Sequence, residues 1–203
     1  MAEKHPTSTS PPSPLYLASS SRYRRELLAR LGYPFQCEAA DLDESRREGE
    51  SPVALAERLA LEKAKVVAAR HPEAIVIGSD QVCALGDRCL GKPGSAQGQA
   101  AMLAQLSGQT VTFHTAVAVV GMAAGIWHRH RDDTHCRFRE LTESEIADYV
   151  AREPATDCAA GFKSEGLGIT LLSQLSSEDP TALIGLPLIW LAADLRAIYA
   201  PRR

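Results

Sequence analysis

The sequence predicts an α/β protein built on a mixed sheet, and three observations carry that prediction. Short apolar runs alternate with helical stripes along most of the chain. Ala74-Ile75-Val76-Ile77 is a continuous apolar run of the kind found in a central strand buried on both faces. Two extended stretches, Val111 to Val120 and Ile126 to Phe138, flank a turn region bounded by Gly121 and Gly125 and read as a long hairpin, which a purely doubly wound parallel sheet would lack.

The elements follow in order. A strand ending at Leu17 leads through Ser19-Ser20-Ser21 into an amphipathic helix stopped by Gly32, and Tyr33 to Cys37 reads as a short second strand before the acidic loop Asp41 to Glu44. Ser51-Pro52 opens a helix, because Pro is pre-set for the first turn, and its apolar stripe persists until His71-Pro72. Lys63 is on that helix. The Ala74–Ile77 strand is expected to release the chain at Gly78-Ser79-Asp80, placing Asp80 at a strand's carboxyl end, where α/β sheets gather their site residues. Gly86-Asp87 marks a turn that would return Gly91-Lys92-Pro93 toward Asp80, and a helix from Ser95 to Leu106 closes at Gly108. After the long hairpin, Thr142 and Glu145 form a capping-box pattern for a helix that Pro154 ends. A Gly161 to Gly168 loop, a strand near Ile169 to Leu175, an acidic turn at Glu178-Asp179-Pro180 and a helix from Leu188 to Tyr199 complete the chain.

The chain has 203 residues, 45% hydrophobic and 23% charged, enough for one substantial core. Residues 1–14, rich in Ser, Thr and Pro without an apolar stretch, read as a flexible tail, and 15–203 as a single domain. A net charge of −3 excludes a general basic coat, so neither nucleic acid nor a membrane surface is an expected partner. Five cysteines, an odd number with no C-x-x-C spacing, argue against a disulfide framework and a structural zinc site and for a reducing cytoplasm. His128 and His130 alternate along a strand without acidic or Cys partners at ligand spacing, and read as exposed strand residues.

The segment Leu15 to Leu28 is the most informative. An apolar run breaks into serines and then enters a helix carrying Arg22, Arg24 and Arg25, which sets hydroxyls, cations and unpaired N–H groups around a helix N-terminus. Phosphate is the natural guest of such a site. There is no G-x-x-x-x-G-K-[ST], and no G-x-G-x-x-G follows a strand, so neither P-loop nor dinucleotide-fold chemistry is expected.

Four further segments follow in order: Asp43-Glu44; Glu62-Lys63-Ala64; Gly78-Ser79-Asp80-Gln81-Val82 with Gly91-Lys92-Pro93; and Gly161-Phe162-Lys163-Ser164-Glu165-Gly166 with Gly185-Leu186-Pro187. With the opening Ala18-Ser19-Ser20-Ser21-Arg22-Tyr23-Arg24-Arg25-Glu26-Leu27-Leu28, the ordered set resembles the Maf family of nucleoside triphosphate pyrophosphatases from about Leu15 to about Tyr199. The family usually opens with A-S-x-S-P-R-R-x-E-L-L. Here Arg22 and Tyr23 stand at its Pro and first Arg, while Arg24 matches the second Arg.

The resemblance implies an elongated mixed sheet flanked by helices, two lobes around a central cleft as in inosine triphosphate pyrophosphatase-like folds, and a homodimer. It makes Asp80 the proton acceptor, with Glu44, Lys63 and Lys92 as the other catalytic groups and Ser19 and Arg24 as phosphate contacts. Glu44 and Asp80 are the carboxylates that would hold a divalent cation, and hard oxygen ligands favour Mg²⁺ or Mn²⁺. Tyr23, Gln81 and Glu165 occupy positions the family uses for substrate choice, with Lys163 in the same segment as Glu165. Pyrimidine-preferring members would carry Arg, Thr and Gln there, so this chain resembles the 7-methyl-GTP pyrophosphatase subfamily. The physical case agrees: N7 methylation makes guanine cationic, which suits an aromatic face and a carboxylate, and one carboxylate can accept both N–H groups of the guanine edge. Two alternatives stand beside this expectation: a Maf pyrophosphatase acting on dTTP or UTP, and a non-catalytic nucleotide-binding regulator of cell division.

Overall fold

The computed structural model describes residues 13–200. Of the expected N-terminal tail, residues 1–12 lie outside the described residues. Seven strands, β1 (Leu15–Leu17), β2 (Gln36–Cys37), β3 (Ile75–Leu85), β4 (Arg88–Leu90), β5 (Thr110–Gly121), β6 (Ile126–Phe138) and β7 (Leu172–Ser176), form one sheet. Its order is β2-β1-β3-β5-β6-β7, with β4 also paired to β3. β1 runs parallel to β2 and β3, and every other pair is antiparallel, so the sheet is mixed as the hairpin predicts. Five α-helices accompany it among the described residues: α1 (Arg22–Ala29), α2 (Pro52–Arg70), α3 (Ala96–Leu106), α4 (Glu143–Arg152) and α5 (Leu188–Tyr199).

Helix starts follow local chemistry. Ser21, Ser51 and Ser95 each accept a first-turn N–H through the side chain, and Pro52 begins α2 where its missing N–H is harmless. Thr142 and Glu145 complete the capping box of α4.

Three sequence expectations need correction. The second strand is only Gln36–Cys37, and the last is Leu172–Ser176, because Leu167–Leu171 close into a 3₁₀ turn. The most consequential concerns β3, which does not end at Ile77 but continues through Asp80 to Leu85, paired with β5 from Val76 to Ala84. Asp80 is therefore a mid-strand residue. Gly78 does not release the chain. It is the point where α2 presses on the strand, since a Cβ there would lie 2.2 Å from the Ala60 carbonyl oxygen and 2.6 Å from the Ala64 nitrogen.

What replaces the expected strand end is an open edge. β5 occupies one side of β3 along nearly its whole length. On the other side, β1 pairs only with Ile75–Ile77 and β4 only with Cys83–Leu85. Gly78 to Val82 have no strand on that side, and the cleft opens there.

The pleat of β3 divides the core. Val76 packs with Ala64, Val67 and Ala68 of α2, and Val82 with Leu55, Ala56, Leu59 and Ala60, so even-numbered residues face that helix. Ile75 and Ile77 pack with Leu17, Leu27, Leu186, Leu191 and Leu195, on the side of α1 and α5. Cys83 joins a separate cluster around Phe113, Phe138 and Phe162, supported by α3 and α4. The two lobes of the molecule are built on these clusters, and β3 and β5 run through both.

Candidate active site

Asp80 faces α2 and is 8% exposed. Directly across from it, Lys63 is 7% exposed and its Nζ lies 2.6 Å from Asp80 Oδ1. The same ammonium lies 2.8 Å from Glu44 Oε1. The Glu44 side chain is 55% exposed, on the rim rather than the floor. One cation thus holds two carboxylates together, and the tight passage of α2 over Gly78 is what lets Lys63 reach them.

The loop carrying Glu44 is tied down by charge. Arg58 on α2 donates to both carboxylate oxygens of Glu50, at 2.6 and 2.8 Å, and to the Ser45 carbonyl at 2.9 Å. These bonds hold the Glu50 carboxyl down to about 2 from its usual 4.5.

A cavity of about 500 Å³ surrounds this group and is lined by Ser19, Ser20, Ser21, Tyr23 and Arg24 from the start of α1, with Glu44, Lys63, Asp80, Gln81 and Lys92. Lys92 reaches it from beyond β4, as the predicted turn requires. Ser19 is buried, and its Oγ accepts the Ser21 N–H at 3.1 Å. Among the helix arginines, Arg24 turns inward and donates from Nε to the Gly185 carbonyl at 3.0 Å. Desolvation lowers its affinity for a proton, while the Asp80 and Glu44 carboxylates act in the opposite direction. Arg25 is exposed, and Arg22 lies over the Tyr23 ring, 4.7 Å from its centroid, donating to the Tyr23 hydroxyl at 2.8 Å.

A second, smaller cavity of about 160 Å³ adjoins the first and shares Ser21, Tyr23, Arg24, Gln81, Lys92 and Asp157 with it. Its remaining walls include Phe113, Phe162, Lys163, Glu165 and Leu183. Glu165 is exposed at its mouth, and the Lys163 ammonium bonds the Pro154 carbonyl at 2.7 Å. Every site residue predicted from the sequence lines one cavity or the other.

Several residues that build the site carry no motif. Gly185, at φ +129°, turns the chain so that its carbonyl accepts from both Arg24 and Ser79. Buried Asp179 holds that segment through the Thr181 N–H at 2.9 Å, the Thr181 hydroxyl at 2.6 Å and the Ile189 N–H at 2.6 Å. Buried Asp132 accepts the Asp179 N–H at 2.9 Å and anchors the segment to β6. In the sequence Glu178-Asp179-Pro180 marks only a turn. Gln99, fully buried, bonds the Glu153 and Gly161 carbonyls and the Ala155 N–H, fixing the loop before Phe162. A buried amide inside a helix stripe was the available signal for it.

His128 and His130 lie elsewhere. His128 is exposed and bonds Asp194 at 2.7 Å, and His130 stacks on Trp190 with ring centroids 5.1 Å apart. Among the described residues no three His, Cys, Asp or Glu side chains converge as a metal cluster. No described helix is long and apolar enough to cross a membrane.

A mixed sheet whose open edge gathers paired carboxylates, a buried lysine and an inward arginine defines a class of protein that handles small phosphorylated ligands. Comparison with known proteins narrows the class: the chain belongs to the Maf family, whose profile, described as Maf-like protein, matches residues 14–198. It is 52% identical to a protein named 7-methyl-GTP pyrophosphatase from Aromatoleum aromaticum, over 91% of this chain and 95% of that one. A protein of the same name from Xanthomonas axonopodis pv. citri is 54% identical, over 90% and 95%. Among solved structures, a HAM1 protein from Coxiella burnetii shares the fold, with a TM-score of 0.52 at 16% identity over 91% of this chain and 99% of that one.

Proposed function

We propose that this chain hydrolyses 7-methyl-GTP to 7-methyl-GMP and pyrophosphate. The observation that carries the reading is the Lys63 bridge between Asp80 and Glu44 on the wall of a cavity that also holds Arg24 and Lys92. The names of the relatives point to the same substrate.

In this mechanism the triphosphate lies along the start of α1, where Ser19, nearby N–H groups and Arg24 meet its oxygens. Asp80 takes a proton from water as the water oxygen bonds to the α-phosphorus and the bond to the bridging oxygen of pyrophosphate breaks. Lys63 and Lys92 offset the charge that builds on the leaving group. Glu44 and Asp80 would hold a divalent cation. Two converging carboxylates fit Mg²⁺ or Mn²⁺, which take one or two protein carboxylates and complete their shell with water and phosphate oxygens. Such an ion supplies further charge neutralisation on the phosphates.

The base belongs in the smaller cavity. Arg22 covers one face of the Tyr23 ring, so a cationic 7-methylguanine would meet the other, with Glu165 accepting from its N–H edge. The five free cysteines and the net charge of −3 support a reducing compartment and a small-molecule partner over nucleic acid.

Pyrophosphate release from 7-methyl-GTP, GTP, UTP, dTTP and CTP, with Mg²⁺ or Mn²⁺, tests the proposal. A preference for 7-methyl-GTP is expected, with a loss on the order of 10²–10⁴-fold in Asp80→Asn. A pyrimidine preference would overturn the base assignment, and full activity in Asp80→Asn would overturn the mechanism.

A further inference from the structure

The Gln81 side chain is held in one orientation by residues to which nothing so far gives a role. Its Nε2 lies 3.0 Å from the Ala182 carbonyl, 2.9 Å from the Leu183 carbonyl and 3.0 Å from the Thr115 hydroxyl, three acceptors that share its two protons. Thr115, directly across the β3–β5 pair from Gln81, is fully buried and commits its own proton to the Ala182 carbonyl at 2.9 Å. All three neighbours are therefore acceptors, and only the NH₂ end of the amide can face them. The opposite atom, Oε1, has no hydrogen-bond donor among the described residues, and the side chain borders both cavities.

We propose that Thr115 is a positioning residue which, with the Ala182 and Leu183 carbonyls, fixes Gln81 as an acceptor, so that the base cavity selects bases presenting an N–H to Gln81 Oε1. With the Glu165 carboxylate the cavity then offers acceptors at two points and favours an edge carrying adjacent N–H groups. A freely rotating amide would bind a carbonyl edge equally well by donating from its NH₂ end. This inference rests on the nucleotide reading above and gives it a polarity.

The test compares 7-methyl-GTP with two analogues that each remove donors from the guanine edge, 1,7-dimethyl-GTP and N2,N2,7-trimethyl-GTP, in the wild type, Gln81→Leu and Thr115→Val. For 7-methyl-GTP, Gln81→Leu should raise KM on the order of tenfold with a smaller change in kcat, and Thr115→Val should raise it several-fold, restored by Thr115→Ser. For the analogue missing the N–H that Gln81 accepts, neither substitution should add a further loss. Equal losses on all three nucleotides would overturn the proposal, as would a Thr115→Val variant that lowers the melting temperature but leaves KM unchanged. Failure of the wild type to hydrolyse 7-methyl-GTP would instead overturn the nucleotide assignment, so the two failures are distinct.

Discussion

At the scale of single residues, the decisive contact is Lys63 with Asp80 and Glu44. A buried ammonium between two carboxylates is held by charge on both sides, and removing it leaves the largely buried Asp80 facing Glu44 without a counter-ion. Lys63→Met should therefore lower the rate of pyrophosphate release about 100-fold. Steady-state assays of a folded variant check this, and an unchanged kcat would remove Lys63 from the mechanism. Lys63 was legible in the sequence because it sits in a short motif within an otherwise apolar helix stripe, as Asp80 was beside its apolar run. Thr115 and Asp179 carry no motif, since each holds other groups of the protein rather than a ligand. A trace of Thr115 is nonetheless visible: it is the polar residue in the same-face series Val111, Phe113, Thr115, Val117 and Val119.

At the scale of elements, the packing of α2 on β3 decides where chemistry can occur. The missing side chain at Gly78 brings the helix backbone against the strand, and Gly78→Ala would force a methyl group onto the Ala60 carbonyl and the Ala64 backbone. The expected cost is about 1–3 kcal/mol, as for overpacked cores, with the melting temperature falling about 2–4 °C for each kcal/mol. A thermal melt measures it, and an unchanged transition would show that the helix can shift without loss. Element order, the capping box of α4 and the long hairpin were legible from spacing. The length of β3 was not, because Gly78-Ser79-Asp80 has the composition of a turn. Neighbouring β5 supplies the hydrogen bonds that keep those residues extended, and such pairing across the sequence leaves no local mark.

At the scale of the whole molecule, the sheet's open edge is the organising feature. Ile75 N donates to the Pro14 carbonyl, and the Ile77 carbonyl accepts from Ala18 N, so odd-numbered residues of β3 turn their backbone groups toward that edge. By strand alternation the amide of Gln81, which borders both cavities, points to the open edge, while that of Asp80 pairs with β5. In the free protein the Gln81 amide should exchange hydrogen faster than that of Asp80, and a bound nucleotide should slow it. Residue-resolved hydrogen exchange reads both effects, and equal protection of the two amides without ligand would contradict the open edge. Family resemblance made the mixed sheet, lobes and cleft legible in advance, but no spacing rule shows that β1 and β4 stop short of each other.

The alternation of β3 has a consequence for how such a chain can change. Asp80 and Gln81 are neighbours in sequence, yet one faces the Lys63 helix and the other the turn at Ala182 and Leu183. Inserting or deleting a single residue between Gly78 and Asp80 would move both to the opposite faces at once, taking the carboxylate off the lysine's face and the amide off the face of the Ala182 and Leu183 carbonyls. Substitutions can retune either partner, but the count of residues in this strand is closed to variation, whereas the turn between β5 and β6, far from both partners, is free to lengthen.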